Sequence, residues 1–129
     1  MADKLTRILY IEDEPDIQAV AKLALEALGG FTLEICSSGK EALEKAAAFG
    51  PQLILSDVMM PGMDGPTTMK KLRELSQFAV TPVIFMTAKV QPSEVAAYKE
   101  IGAADVISKP FDPMTLSSQV QAIWERCHG

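Results

Sequence analysis

Cysteine and histidine are scarce in this chain: Cys36, Cys127 and His128 are the whole supply in 129 residues. Neither cysteine belongs to a CxxC pair or to a Cys/His group with zinc spacing, so both are expected as reduced thiols. His128 is next to last, a poor place for a ligand or a base. No apolar run approaches the roughly 20 residues that cross a bilayer. The opening Met1-Ala2-Asp3-Lys4 is polar and lacks the apolar core of a secretory signal. Positive charge is also in deficit. Twelve Lys and Arg face 17 Asp and Glu, for a net charge of −5 and a pI near 4.8. A general nucleic-acid binder would carry a basic patch instead. The expectation is a cytoplasmic protein with no direct nucleic-acid contact and no membrane insertion.

Apolar residues are plentiful, at 48%. At this length they furnish one core, expected to occupy about 6–126 of a single domain spanning 1–129. Short apolar runs recur at Arg7–Ile11, Phe31–Cys36, Gln52–Ser56, Pro82–Thr87 and Asp105–Ser108. Several are apolar at consecutive positions, as in strands buried on both faces of a parallel sheet. Five helical patterns lie between and after them. The first opens at Pro15, places Ile17, Val20, Ala21, Ala24 and Leu28 on one face and stops at Gly29-Gly30. The second starts with Ser38-x-x-Glu41, a capping box, carries Ala42, Leu43, Ala46 and Phe49, and ends at Gly50-Pro51. The third has Pro66 near its start and turns Met69, Leu72 and Leu75 inward; the fourth runs weakly amphipathic from Pro92 to Ile101. The fifth opens at Asp112-Pro113 and buries Leu116, Val120 and Ile123. Strands alternating with helices predict right-handed βαβ units and a doubly wound, five-stranded parallel α/β sandwich.

In such open sheets a site lies beyond the carboxyl ends of the strands. Those ends read Ile11-Glu12-Asp13-Glu14, Ser56-Asp57, Met86-Thr87-Ala88 and Ser108-Lys109-Pro110. If the first and third strands are neighbours, Glu12, Asp13 and Asp57 crowd together. Two unit charges about 4 Å apart repel by roughly 4 kcal/mol at an effective dielectric near 20. Such a cluster raises pKa values or recruits a cation, and a small all-oxygen site suits Mg²⁺. Taken alone, these acids divide evenly between that reading and a plain one: solvated strand ends, with Asp13 capping the helix at Pro15. Lys109 could neutralise the cluster or hold a phosphate oxygen, and Thr87 offers a hydroxyl donor.

The run Ile8-Leu9-Tyr10-Ile11-Glu12-Asp13-Glu14-Pro15 resembles the opening of response-regulator receiver domains. So do the stretch from Leu53 through Ser56-Asp57-Val58-Met59-Met60-Pro61-Gly62 to Gly65, Pro82-Val83-Ile84-Phe85-Met86-Thr87-Ala88, and Ser108-Lys109-Pro110-Phe111. The similarity runs in order along essentially the whole chain. It implies a (βα)5 flavodoxin-like receiver fold, with Asp57 as phosphoacceptor and Thr87 and Lys109 on the phosphoryl oxygens. It also implies a Mg²⁺ site made by Asp13, Asp57, the backbone carbonyl of Met59 and, through water, Glu12. A cis Lys109-Pro110 bond belongs to the same pattern. The implied donor is a phosphohistidine on a sensor histidine kinase or phosphotransfer protein. The implied readers are a downstream protein target and a phosphorylation-dependent dimer through the fourth helix, fifth strand and fifth helix. Met59 and Lys89 occupy positions that, in that family, influence how long the phosphoryl group lasts.

One position departs from the pattern. The family's mobile aromatic, three residues before the lysine, is here Val106, so the usual coupled flip with the threonine cannot operate. Tyr98, on the fourth helix, is the alternative candidate for an exposed aromatic on that face. Trp124, on the last helix, is far in sequence from the acids. Three other readings compete. A haloacid-dehalogenase-like phosphatase would carry a second acid two residues after its nucleophile, where this chain has Met59. A flavodoxin-type cofactor module would need a Ser/Thr/Gly-rich phosphate loop where Glu12-Asp13-Glu14 stands. A degenerate receiver serving only as a scaffold is disfavoured by the full set of site residues. Within 129 residues no output domain is expected, whether the chain stands alone or is the receiver of something larger.

Overall fold

The structure is a computed structural model describing residues 4–128. Its strands are β1 (Arg7–Ile11), β2 (Thr32–Cys36), β3 (Leu53–Asp57), β4 (Val83–Thr87) and β5 (Asp105–Ser108). Its helices are α1 (Pro15–Lys22, continued by a π-helical stretch over Leu23–Leu28), α2 (Gly39–Phe49), α3 (Gly65–Arg73), α4 (Pro92–Glu100) and α5 (Leu116–His128). The strands pair in parallel in the order β2-β1-β3-β4-β5. Every strand lies within a residue of where the apolar runs put it.

The sheet sorts its side chains by alternation. Ile8, Tyr10, Leu53, Leu55, Ile84, Met86 and Ile107 belong to one core with residues of α1 and α5. Leu9, Ile11, Ile54, Val83 and Phe85 belong to the other, with residues of α2 and α3. Helices on both faces leave strand ends as the free edges of the sandwich, and the catalytic candidates sit at the carboxyl ends. Among the described residues, no helix is long and apolar enough to cross a membrane. Cys36 is buried, Cys127 is exposed and both are free; burial pushes the Cys36 thiol up to about 12. The His128 side chain and Met1-Ala2-Asp3 lie outside the described residues.

Local signals explain the helix boundaries. The Ser38 hydroxyl accepts the Glu41 N–H at 3.1 Å, while the Glu41 carboxylate takes the Ser37 N–H rather than that of Ser38. The capping box is therefore shifted by one residue on its return bond. Gly50 closes α2 at φ 66°, a left-handed turn that glycine adopts without Cβ strain. α3 is capped by Asp64, whose carboxylate accepts the Thr67 N–H at 2.8 Å.

Three expectations need correction. Val20 and Leu28 are exposed, and Leu25 is buried with Ala21 and Ala24 instead. The wider π turn after Lys22 carries the apolar stripe away from 3.6-residue spacing. Leu75 is exposed because α3 ends at Arg73. The Arg73 guanidinium caps that end of the molecule, donating to the carbonyls of Phe78, Thr81 and Gly102. α5 begins at Leu116, after a turn in which the Asp112 carboxylate accepts the Met114 N–H at 2.9 Å.

Tyr98 is also not the exposed aromatic considered above. It lies half-buried with its ring edge-on to Phe85 at a centroid distance of 5.4 Å. Val106 pairs with Phe85 across β4 and β5 and packs half-buried in the same core. The place of the usual aromatic is thus filled by ordinary packing. Beside it, Asp105 ties α4, β5 and α5 together through Lys99 at 3.7 Å and Arg126 at 2.6 Å. Burial works against its charge, yet these cations and the Val106 N–H hold the Asp105 carboxyl below the usual range.

Candidate functional site

The neighbouring of β1 and β3 brings Glu12, Asp13 and Asp57 to one point. Ile11 pairs with Ser56, so both strands run out at the same level. A carboxylate oxygen from each of the three residues lies within 4.8 Å of the others. Glu12 is fully buried, Asp57 nearly so, and Asp13 half-buried. The helix-cap alternative for Asp13 fails: the cap residue of α1 is Glu14, and it makes no side-chain capping bond.

Lys109 enters this cluster from the end of β5. Its Nζ lies 3.0 Å from Glu12 Oε1 and 3.3 Å from Asp57 Oδ2. The second Glu12 oxygen accepts the Glu14 N–H at 3.2 Å. Burial, with the charge of Asp57 beside it, pushes the Glu12 carboxyl upward even though Lys109 pulls the other way. Burial likewise opposes the Lys109 charge, but the Glu12 hydrogen bond and the two carboxylate charges hold it above an ordinary lysine. One ammonium cannot balance three carboxylates, so the site remains electronegative and all-oxygen. That donor set fits a hard divalent cation.

Thr87 ends β4, buried, on the far side of a cleft of about 290 Å³ that Asp57, Met59, Ala88, Lys89 and Lys109 also line. Its Oγ1 accepts the Lys89 N–H at 3.1 Å, and its carbonyl accepts the Lys109 N–H at 2.9 Å. The Lys109-Pro110 bond is cis. Met59 is 73% exposed on the rim, two residues past Asp57. Asp57, Met59, Thr87 and Lys109 therefore line one cleft, and Glu12 and Asp13 each bring a carboxylate oxygen within 4.8 Å of Asp57.

Two further residues shape it. Gly65 starts α3 directly over β3, and a Cβ there would lie 2.4 Å from the Asp57 carbonyl oxygen. Backbone cannot yield that distance cheaply. Gly65→Ala is expected to cost about 1–3 kcal/mol, seen as a lower urea midpoint at unchanged slope. Tyr10, two residues before Glu12 on β1, is fully buried, with its hydroxyl interacting with the Glu12 carboxylate. Burial and the charges of Glu12 and Asp57 push this phenol upward, so it stays a protonated donor. A tyrosine inside an apolar strand reads simply as core, and nothing in the sequence marks its hydroxyl.

Known proteins resemble this chain in sequence and fold. A family profile described as the response regulator receiver domain matches residues 8–121. The transcriptional regulatory protein CseB of Streptomyces coelicolor is 36% identical over 126 residues, which make up 98% of this chain and 52% of that protein. The alkaline phosphatase synthesis transcriptional regulatory protein PhoP of Bacillus subtilis is 37% identical over 120 residues, 93% of this chain and 49% of that one. The chain spans about half the length of these curated relatives. Among solved structures, the chemotaxis response regulator CheY4 of Vibrio cholerae superposes with a TM-score of 0.85 at 32% identity, covering 93% of this chain and 99% of the other. With the profile running from β1 into α5 and the same CheY-like, flavodoxin-type sheet beneath it, this chain belongs to the response regulator receiver domain family.

Proposed function

We propose that the chain is a phosphoacceptor switch, one receiver unit in which Asp57 takes a phosphoryl group from a phosphohistidine. The donor is carried by a sensor histidine kinase or a phosphotransfer protein. The observation that carries this reading is the placement of Lys109 between Glu12 and Asp57, at 3.0 and 3.3 Å, with Asp13 alongside. A lone acid cluster would be a solvated edge; a half-buried lysine within it supplies the positive charge that an incoming phosphoryl group needs.

Asp57 is the nucleophile. As the donor's P–N bond breaks, a carboxylate oxygen of Asp57 bonds to phosphorus, giving an acyl phosphate, and the imidazole leaves with a proton from solvent. The transition state spreads charge over three equatorial oxygens, so the protein's work is alignment and electrostatic support. Lys109 already contacts Asp57 and is close enough to take one of those oxygens. The Thr87 hydroxyl, across the cleft, can turn from accepting the Lys89 N–H to donating to another. Asp13, Asp57 and the Met59 carbonyl, with Glu12 through water, would hold Mg²⁺. When bound, Mg²⁺ offsets phosphoryl charge and fixes the orientation of the oxygens.

Phosphorylation adds about −1.5 to −2 charge at the sheet edge. Thr87 and the loop to α4 respond, and the face formed by α4, β5 and α5 carries the signal to a downstream protein or a second copy of the chain. α4 has no buried residue, so little packing resists its movement. We place this activity in the cytoplasm. Intact-protein mass spectrometry after incubation with acetyl phosphate tests the reading. A single phosphoryl adduct that requires Mg²⁺ and is absent in Asp57→Asn is expected. Steady release of phosphate from small phosphoesters over many turnovers would favour a hydrolase instead.

A further inference from the structure

We infer that Tyr98 is a latch on α4: its ring, seated against Phe85, holds the helix in the resting position and must yield when the phosphoryl site is filled. The inference rests on the proposed role of Asp57 and names the contact through which that site reaches α4. Tyr98 stands at a junction. It lines the cleft together with Asp57, Thr87 and Lys89. It also packs against the core on the α2 and α3 side of the sheet, its ring edge-on to Phe85 with centroids 5.4 Å apart. Phe85 and Thr87 are two apart on β4, so their side chains share that face. The neighbour of Phe85 on β5 is Val106, and the ring that meets Phe85 comes from α4 instead.

The rest of α4 is loosely held. None of its residues is fully buried, and besides Tyr98 only Glu94 and Val95 are half-buried. At its far end the Tyr98 carbonyl accepts the Ala103 N–H at 3.0 Å, which ties the helix to the approach to β5. At its near end only residues 88–91 separate Thr87 from Pro92. The Gln91 carbonyl accepts the Glu94 and Val95 N–H groups at 2.9 and 3.0 Å, so this short loop moves with the first turn of the helix. In the resting protein the Thr87 hydroxyl accepts the Lys89 N–H at 3.1 Å. Turning that hydroxyl toward a phosphoryl oxygen disturbs this bond and draws on the loop, and through it on α4. The Phe85–Tyr98 contact is the packed apolar contact across which the helix must then slide. An edge-on aromatic pair contributes beyond its buried area, so it favours the resting position. A ligand that binds the displaced state loses apparent affinity in proportion to how rarely that state is populated.

Tyr98→Ala removes the latch, and beryllofluoride with Mg²⁺ serves as the phosphoryl mimic. The ligand-free variant is expected to melt below wild type, yet to bind beryllofluoride roughly threefold to tenfold more tightly, the worth of one edge-on aromatic pair. A residue that merely supported the fold would leave the affinity unchanged or lower it. Tyr98→Phe keeps the ring and should retain the wild-type affinity. Tyr98→Leu keeps apolar bulk without the ring edge and should also bind more tightly, which covers the case of an alanine variant that does not fold. In a Phe85→Leu background, Tyr98→Ala should change the affinity little, because the two rings act as one contact. In ligand-free Tyr98→Ala, amide resonances within residues 88–95 should lie part-way along the line from resting to beryllofluoride-bound wild type. An affinity unchanged or lowered in both Tyr98→Ala and Tyr98→Leu would overturn the inference and leave the phosphoacceptor reading standing. Failure of the wild type to bind beryllofluoride at all would instead bring down the phosphoacceptor reading, and this inference with it.

Discussion

Lys109→Ala is expected to slow phosphoryl uptake from acetyl phosphate by roughly 10²-fold or more, the usual cost of removing a preorganised charge from a transition state. The same substitution should tighten Mg²⁺ binding, because the ammonium now lying 3.0 Å from Glu12 and 3.3 Å from Asp57 competes with the metal for those oxygens. Opposite changes in metal affinity and rate distinguish a working lysine from a merely structural one. Stability should also fall in a pH-dependent way. Glu12 is already pushed above its ordinary value by burial and by Asp57, and losing Lys109 pushes it further. A carboxyl whose folded pKa is raised holds its proton more tightly in the folded state. Stability therefore declines as pH rises from the ordinary glutamate value of 4.5 through the raised folded value. Stranding a buried charge costs about 3–5 kcal/mol, and protonation of Glu12 relieves that cost at the acidic end. Thermal melts of Lys109→Ala should diverge from wild type more at pH 8 than at pH 5, with added Mg²⁺ closing part of the gap.

Asp13→Asn should act on the metal and leave the nucleophile intact. It removes one of the three carboxylates that approach within 4.8 Å, together with its charge. Mg²⁺ affinity is expected to drop by at least about tenfold, within the range seen when residues supporting a metal site are altered. Calorimetric titration measures that directly. Phosphoryl uptake should then require more Mg²⁺ and approach the wild-type rate at saturation. Lys109→Ala should not be rescued that way. Equal Mg²⁺ affinity in Asp13→Asn and wild type would remove Asp13 from the metal site and leave Glu12 and Asp57 as the carboxylates to test next.

Much of the fold is legible in the sequence. Strands buried on both faces announce themselves as consecutive apolar residues such as Val83-Ile84-Phe85-Met86, and the rule that sites lie at carboxyl ends points straight to Asp57, Thr87 and Lys109. What escaped has physical causes. The stripe of α1 was placed on Val20 and Leu28 because the 3.6-residue period takes no account of a π turn. Leu75 looked inward because nothing in the sequence shows that Arg73 ends the helix and ties three distant carbonyls. Tyr98 read as a free aromatic because its partner, Phe85, comes from another element. Gly65 matters through a single close distance to the Asp57 carbonyl, and neither composition nor spacing encodes that.

The most direct measurement locates the phosphoryl group itself. Wild-type protein is treated with acetyl phosphate and Mg²⁺, reduced with borohydride, digested and read by peptide mass. An acyl phosphate on Asp57 is converted to homoserine at that one position. The account predicts homoserine at residue 57 only when Mg²⁺ is present, with Glu12 and Asp13 unmodified. Homoserine at Asp13, or the longer alcohol 2-amino-5-hydroxypentanoic acid at Glu12, in place of homoserine at Asp57, or a stable phosphoryl group on a serine, threonine or histidine, would contradict it.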